Sequence, residues 1–144
     1  MKTVAELLRT KPSAYIHHVA PDASVLDAVK QMAENKIGAL LVLAGGRLVG
    51  IVSERDYVRK LAELERAAFD AQVADIMTAD VISVGPRDSV QHCLRLMTDH
   101  RLRHLPVVAE GELIGMLSIG DLVKQTIADQ ACLIQQLEQY IRGG

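Results

Sequence analysis

Residues 50–56 read GIVSERD and residues 115–121 read GMLSIGD. Glycine, serine and aspartate recur at one offset: Gly50 with Gly115, Ser53 with Ser118 and Asp56 with Asp121 are each 65 residues apart. Comparing residues 19–60 with 84–125 at that offset gives fourteen identities in 42 positions, with no gap. They include Pro21/Pro86, Ser24/Ser89, Met32/Met97 and Leu40/Leu105. Many other pairs are conservative, such as Lys36/Arg101 and Val49/Ile114. The chain is therefore a duplication, and each copy is one supersecondary unit.

Each copy has the same rhythm. A short apolar strand, Ile16–Val19 or Val81–Val84, runs up to a proline. Ser24 and Ser89 are natural N-caps, and Val25, Ala28, Val29, Met32 and Val90, Cys93, Leu94, Met97 follow at helical spacing. Ala39–Leu43 and Leu105–Val108 are runs short enough for buried strands. Gly45-Gly46 and Glu110-Gly111 signal hairpins into Leu48–Val52 and Leu113–Leu117. A second helix starts at each serine of the GhhSxxD motif. The predicted fold is α/β (α+β): two β-α-β-β-α units. Each is too small to bury much surface alone, so the two are expected to pack around a pseudo-twofold axis.

The leading segments repeat as well, because VADIMTAD at 73–80 echoes VAELLRT at 4–10. The expected boundaries are 4–66 for the first unit, 73–125 for the second and 126–144 for a C-terminal helical tail. The stretch LAELERAAFD at 61–70 reads as a charged helix, and Glu63, Glu65 and Arg66 as its solvated face. In the tail, Val123, Ile127, Ile134, Leu137 and Ile141 form an apolar stripe more than five turns long.

Composition removes several function classes. Net charge is −2, and the chain has three tyrosines, one phenylalanine and no tryptophan. That leaves neither a basic footprint nor a stacking platform for nucleic acid. No apolar run spans a bilayer and the N-terminus does not read as a signal peptide. Cys93 and Cys132 form no CxxC pair. Both read as reduced thiols of a soluble, cytoplasmic chain. The five histidines, His17, His18, His92, His100 and His104, show no metal-ligand spacing. No GxSxG, P-loop or GxGxxG motif is present, so no enzyme, catalytic residue or catalytic cofactor is expected.

The serine and aspartate admit two readings. S-x-x-D before a helix is a capping-box variant, with the serine accepting from the third helical N–H and the carboxylate favoured in the first turn. The same geometry makes a nucleotide site. A strand leading into a helix N-terminus presents N–H groups to phosphate. Serine adds a hydroxyl, and an acidic residue one turn on takes a ribose diol, as in dinucleotide folds. Arg55 adds positive charge in the first copy. In the second, Gly120 permits close approach, and Arg103 and His104 lie in the cationic run RLRHLP.

The duplicated βαββα unit, the two GhhSxxD ends and the RHLPVV run resemble a tandem pair of CBS domains, or Bateman module, over about residues 4–125. The tail ending LEQYI resembles that of small stand-alone bacterial CBS-pair proteins. The resemblance implies a regulatory module that binds AMP, ADP, ATP, NAD or S-adenosylmethionine in the cleft between its units and signals to an effector protein. It implies that Asp56 and Asp121 hold ribose and that Ser53 and Ser118 face phosphate. The base is implied to lie along Ile16–Val19 and Val81–Val84, involving Ile16, His18, Val81 and Ser83. Ser83 fits the family's hydroxyl position and His18 departs from it. CBS pairs commonly associate as flat discs, which with the tail stripe implies a homodimer. The alternative function is a structural dimerisation module whose ligand sites are vestigial. For the tail, folding back over its own module or meeting a partner protein are the competing readings.

Overall fold

The computed structural model describes residues 2–10, 16–64 and 70–143. In chain order the elements are α1 (Val4–Thr10), β1 (His18–Val19), α2 (Val25–Asn35), β2 (Ala39–Ala44), β3 (Arg47–Ser53), α3 (Glu54–Leu64), α4 (Val73–Ile76), α5 (Val90–His100), β4 (His104–Ala109), β5 (Glu112–Ser118) and α6 (Ile119–Ile141). This is a mixed α/β fold with two small sheets and a long C-terminal helix. The part of the predicted charged helix at 65–69, with the Glu65 and Arg66 face and the unit boundary at 66, lies outside the described residues.

The duplication holds at the level of single hydrogen bonds. Ser24 accepts from the Asp27 N–H at 3.0 Å and Ser89 from the His92 N–H at 3.0 Å, so both serines cap their helices as expected. Lys36 and Arg101 close α2 and α5 in the left-handed region, each at φ 55°. Both hairpin turns need two consecutive positive φ values. Gly45 and Gly46 supply 58° and 81°, Glu110 and Gly111 supply 52° and 79°. Glu110 accepts a conformation that costs a residue with a Cβ about 1–2 kcal/mol.

β2 and β3 pair antiparallel, from Ala39 with Ser53 to Ala44 with Arg47, and β1 lies parallel to β2 with His18 opposite Leu41. In the second copy the parallel pairing shrinks to one bridge, Val84 with Val107. The expected strands Ile16–Val19 and Val81–Val84 are thus corrected to His18–Val19 and an isolated bridge at Val84. The physical reason in the second copy is local. The Val81 N–H donates to the Ala79 carbonyl at 3.0 Å, a tight turn that keeps Val81 out of a ladder.

The chain clusters into two compact units, and these are not the sequence repeats. One comprises Met1–Ala14, Val84–Ala109 and Ile114–Gly144; the other comprises Tyr15–Ser83 and Glu110–Leu113. Each leading segment sits with the opposite copy. The Val4 N–H donates to the Asp88 carbonyl and the Ala5 N–H to Pro86, while Val73 donates to Ala23 and Ala74 to Pro21. Thr3 bridges Ser89, and Gln72 bridges Ser24. A Cβ on Gly115 would lie 2.8 Å from Leu8 Cδ2, and one on Gly50 would lie 2.6 Å from Met77 Sδ and 3.0 Å from the Thr78 carbonyl. The motif's first glycine is therefore explained by packing: it makes room for the leading segment of the other copy.

Burial repeats in the same register. Val19, Val25, Ala28, Met32, Leu40, Val42 and Val52 form one core with Val73 and Ile76. Val84, Val90, Cys93, Met97, Leu105, Val107 and Leu117 are buried at the matching positions, as are Val4 and Leu7. Cys93 is one of these core residues, and burial, with the Asp88 charge second, pushes its thiol up to about 11. Cys132 is exposed on α6. Ellman's reagent at pH 8 should accordingly titrate one thiol in the native chain and two after denaturation. Two fast native thiols would contradict this burial.

Candidate functional site

Both GhhSxxD motifs turn from strand to helix in the same way. The Ser53 N–H donates to Asp56 Oδ2 at 2.9 Å, the Ser53 hydroxyl donates to the same oxygen at 3.0 Å, and the Asp56 N–H donates to Ser53 Oγ at 3.3 Å. In the second copy the Ser118 N–H donates to Asp121 Oδ2 at 2.8 Å and the Asp121 N–H to Ser118 Oγ at 3.1 Å. The capping reading is met in full: two donors at each helix start are satisfied reciprocally. The other reading uses what these bonds leave over. They do not involve the N–H of Arg55 or Gly120, the second residue of each helix.

A further backbone bond clamps each turn. The Glu54 N–H donates to the Gly38 carbonyl at 3.0 Å, and the Ile119 N–H to the Arg103 carbonyl at 2.9 Å. Sequence reasoning left open which motif Arg103 serves. The structure fixes its main chain against the Ser118 turn, with its side chain exposed. His104, the first residue of β4, is half-buried beside it. The first copy has Gly38 where the second has Arg103, so the two sites differ in local charge. Gly38 is a site position that sequence analysis missed; the 65-residue offset from Arg103 was the available signal.

The remaining candidates fall as follows. Antiparallel pairing sets Ser53 beside Ala39, where β2 begins, and β1 enters the sheet at that same end. Ile16 and His18 are therefore brought to the edge from which Ser53 leads into α3. Ile16 is half-buried, and His18 and Arg55 are exposed. Ser118, Gly120, Asp121, Arg103 and His104 form the second group, all in the unit containing α5 and α6. Val81 and Ser83 cluster with the unit of residues 15–83. A Cβ on Gly120 would meet only Ser118 Oγ, at 3.6 Å, so packing does not demand glycine there.

Among the described residues, no three His, Cys, Asp or Glu side chains are placed to hold a metal. No described helix is long and apolar enough to cross a membrane.

The CBS-domain family model matches residues 4–63 and 73–127. This chain belongs to the CBS-domain family. Its two matches make it a tandem CBS pair, and solved structures agree. A CBS-domain protein from Burkholderia ambifaria MC40-6 superposes with a TM-score of 0.86 at 52% identity, covering 90% of this chain and 96% of that one. The structure of CBSX2 in complex with AMP superposes with a TM-score of 0.74 at 29% identity, covering 88% and 97%. Among curated proteins, the mitochondrial CBS domain-containing protein CBSX3 of Arabidopsis thaliana is 42% identical over 128 residues. That alignment takes in 85% of this chain and 62% of the plant protein, so the chain spans less than two thirds of that relative.

Proposed function

We propose that this CBS pair is a regulatory, non-catalytic module that binds an adenosine nucleotide at its GhhSxxD turns and signals the occupied state to an effector protein. The observation that carries the reading is the pair of matching strand-to-helix turns, each setting a serine hydroxyl and an aspartate carboxylate at a helix N-terminus. The AMP complex of the related CBSX2 supports the ligand class. Oδ1 of Asp56 and of Asp121 takes the ribose diol, and the helix N-terminus takes phosphate. The Ser53 hydroxyl, which donates to Asp56 Oδ2, turns its hydrogen to a phosphate oxygen on binding. The open space over Gly120 admits a phosphate close to the backbone. Ile16, His18, Val81 and Ser83 serve the base. A dimerisation module with vestigial sites is the rival reading, and it assigns the carboxylates to capping alone.

A thermal-shift series with AMP, ADP, ATP, NAD and S-adenosylmethionine tests the proposal. A ligand at 100 times its dissociation constant stabilises by about 2.7 kcal/mol. For a chain of this size that is on the order of 8 °C. No shift with any of them at millimolar concentration sinks the nucleotide reading.

Arg103 supplies a sharper expectation. Its carbonyl clamps the Ile119 N–H, and alanine keeps that bond while removing the guanidinium. An exposed charge-assisted hydrogen bond to phosphate is worth little more than 1 kcal/mol, or about tenfold in affinity. Arg103→Ala should therefore weaken AMP about tenfold and leave adenosine unchanged, read by calorimetry. Equal losses for both would assign Arg103 to the base or to the fold. Arg55 and His104 are weaker phosphate candidates by the same comparison.

A further inference from the structure

The two GhhSxxD turns share one backbone geometry. Their reciprocal capping bonds measure 2.9 and 3.3 Å in the first copy and 2.8 and 3.1 Å in the second. The clamp on the first helical N–H measures 3.0 Å in one and 2.9 Å in the other. The side chains around that shared frame differ. Gly38, Ala39, Glu54 and Arg55 stand where the second copy has Arg103, His104, Ile119 and Gly120. Lys36 and Arg101, by contrast, match in charge and in φ, so they do not discriminate. Glu54 and Ile119 are the first residues of their helices, and both are exposed. The first turn thus gains one cation, Arg55, beside one anion, Glu54. The second gains Arg103, exposed and tied to the turn by its carbonyl, and no anion. Space differs as well. A Cβ on Gly120 would meet only Ser118 Oγ, at 3.6 Å, so the second turn is open where the first carries the stem of Arg55. Glycine is a poor helix residue, and no neighbour requires it there.

We propose that the two turns sort adenosine nucleotides by the length of the phosphate chain: the Ser118 turn takes the di- or triphosphate and the Ser53 turn takes the monophosphate. This rests on the nucleotide reading of the same turns. A single phosphate is matched by the helix N-terminus and one cation, which Arg55 supplies in the first copy. A second or third phosphate adds negative charge beside the Glu54 carboxylate, and like charges repel. In the second copy the space over Gly120 admits the longer chain. The Arg103 guanidinium offers it a planar, bidentate donor set, and Ile119 opposes it with no charge. Charge and space therefore point the same way at each turn. The ribose carboxylates Asp56 and Asp121 are common to both, so adenosine itself gains nothing from the difference. Exposed charges act modestly in water, about threefold in affinity for each one changed, so Glu54 and Arg103 together set the ATP-to-AMP ratio of the two turns apart by on the order of tenfold.

Calorimetry with adenosine, AMP, ADP and ATP, in magnesium-free buffer at low salt, reads each turn alone once the other has lost its ribose carboxylate. In Asp56→Ala, which leaves the Ser118 turn, affinity should rise from AMP to ATP. In Asp121→Ala, which leaves the Ser53 turn, it should fall along the same series. The ATP-to-AMP affinity ratio should differ about tenfold between the two variants, and about 0.5 M salt should shrink that difference. Substitutions in the otherwise native chain test the cause without touching either carboxylate. Ile119→Glu places an acid in a first helical turn, where the helix dipole favours it, so the fold is kept. It should weaken ATP about threefold more than AMP at the second turn, and Gly120→Leu, which fills the open space without charge, should do the same. Glu54→Ile should strengthen ATP about threefold at the first turn. Adenosine affinity should stay constant in all three. Equal or reversed ATP-to-AMP ratios at the two turns, or substitutions that move adenosine as much as ATP, overturn the proposal and leave the nucleotide reading standing. A native chain that binds none of the four overturns the nucleotide reading and this proposal with it.

Discussion

Replacing Val4 and Leu7 with alanine should loosen residues 84–118 while residues 39–53 stay protected, although α1 precedes the first repeat in the chain. Both side chains are buried, and α1 clusters with residues 84–109 and 114–144. Its N–H groups at Val4 and Ala5 bond Asp88 and Pro86, and the Val90 N–H bonds the Lys2 carbonyl. Leu→Ala in a core costs about 2–5 kcal/mol and the valine adds to it. The melting point should fall on the order of 10 °C. Amide hydrogen exchange followed by mass spectrometry separates the outcomes. Faster exchange in β4 and β5 supports the crossed arrangement, whereas faster exchange in β2 and β3 would place α1 on its own repeat. The matching pair Val73→Ala and Ile76→Ala should have the reverse effect, because Val73 and Ile76 belong to the core around Leu40, Val42 and Val52.

The crossing shows where sequence reading stops. Strands, caps and turns are encoded locally. Ser24 and Ser89 cap because serine oxygen reaches the third helical N–H. Gly45-Gly46 turns because both positions need positive φ. The 65-residue offset then carries each element from one copy to the other, and both GhhSxxD turns were legible on those terms. The echo between Val4, Leu7, Leu8 and Val73, Ile76, Met77 was also visible. Which sheet each segment covers was not, because periodicity reports that a face is buried and not what buries it.

Val81–Val84 failed for a different reason. Its apolar residues match a strand, but the Val81 N–H is taken by Ala79, and one bridge at Val84 is what remains. Arg103 was singled out as a cation. Its carbonyl, which clamps the helix after Ser118, carries no sequence signal at all, since Gly38 makes the same bond in the first copy. The serine and aspartate were ambiguous in principle. One geometry satisfies a helix start and welcomes a nucleotide, so finding the capping bonds leaves the ligand reading standing.

Separating those two readings is the second large effect. Asp56→Ala together with Asp121→Ala should remove adenosine-nucleotide binding. Each aspartate would lose two charge-assisted hydrogen bonds to ribose, worth about 1.5–3 kcal/mol apiece. Affinity at each site should fall roughly 10²- to 10⁴-fold. The caps fail as well, since Asp56 Oδ2 and Asp121 Oδ2 accept from their serine N–H groups. That part appears as stability and not as affinity. Ser53→Ala with Ser118→Ala provides the control, because losing an N-cap costs about 1 kcal/mol each and leaves the ribose contacts in place. If the carboxylates only cap, both double variants lose comparable stability and calorimetry finds nucleotide affinity unchanged in each. If they hold ribose, the aspartate variant loses binding while the serine variant keeps adenosine and weakens AMP modestly. A 2′-phosphate would meet the same carboxylates, so NADP should bind more weakly than NAD. Equal affinity for the two dinucleotides would put the ribose somewhere other than Asp56 and Asp121.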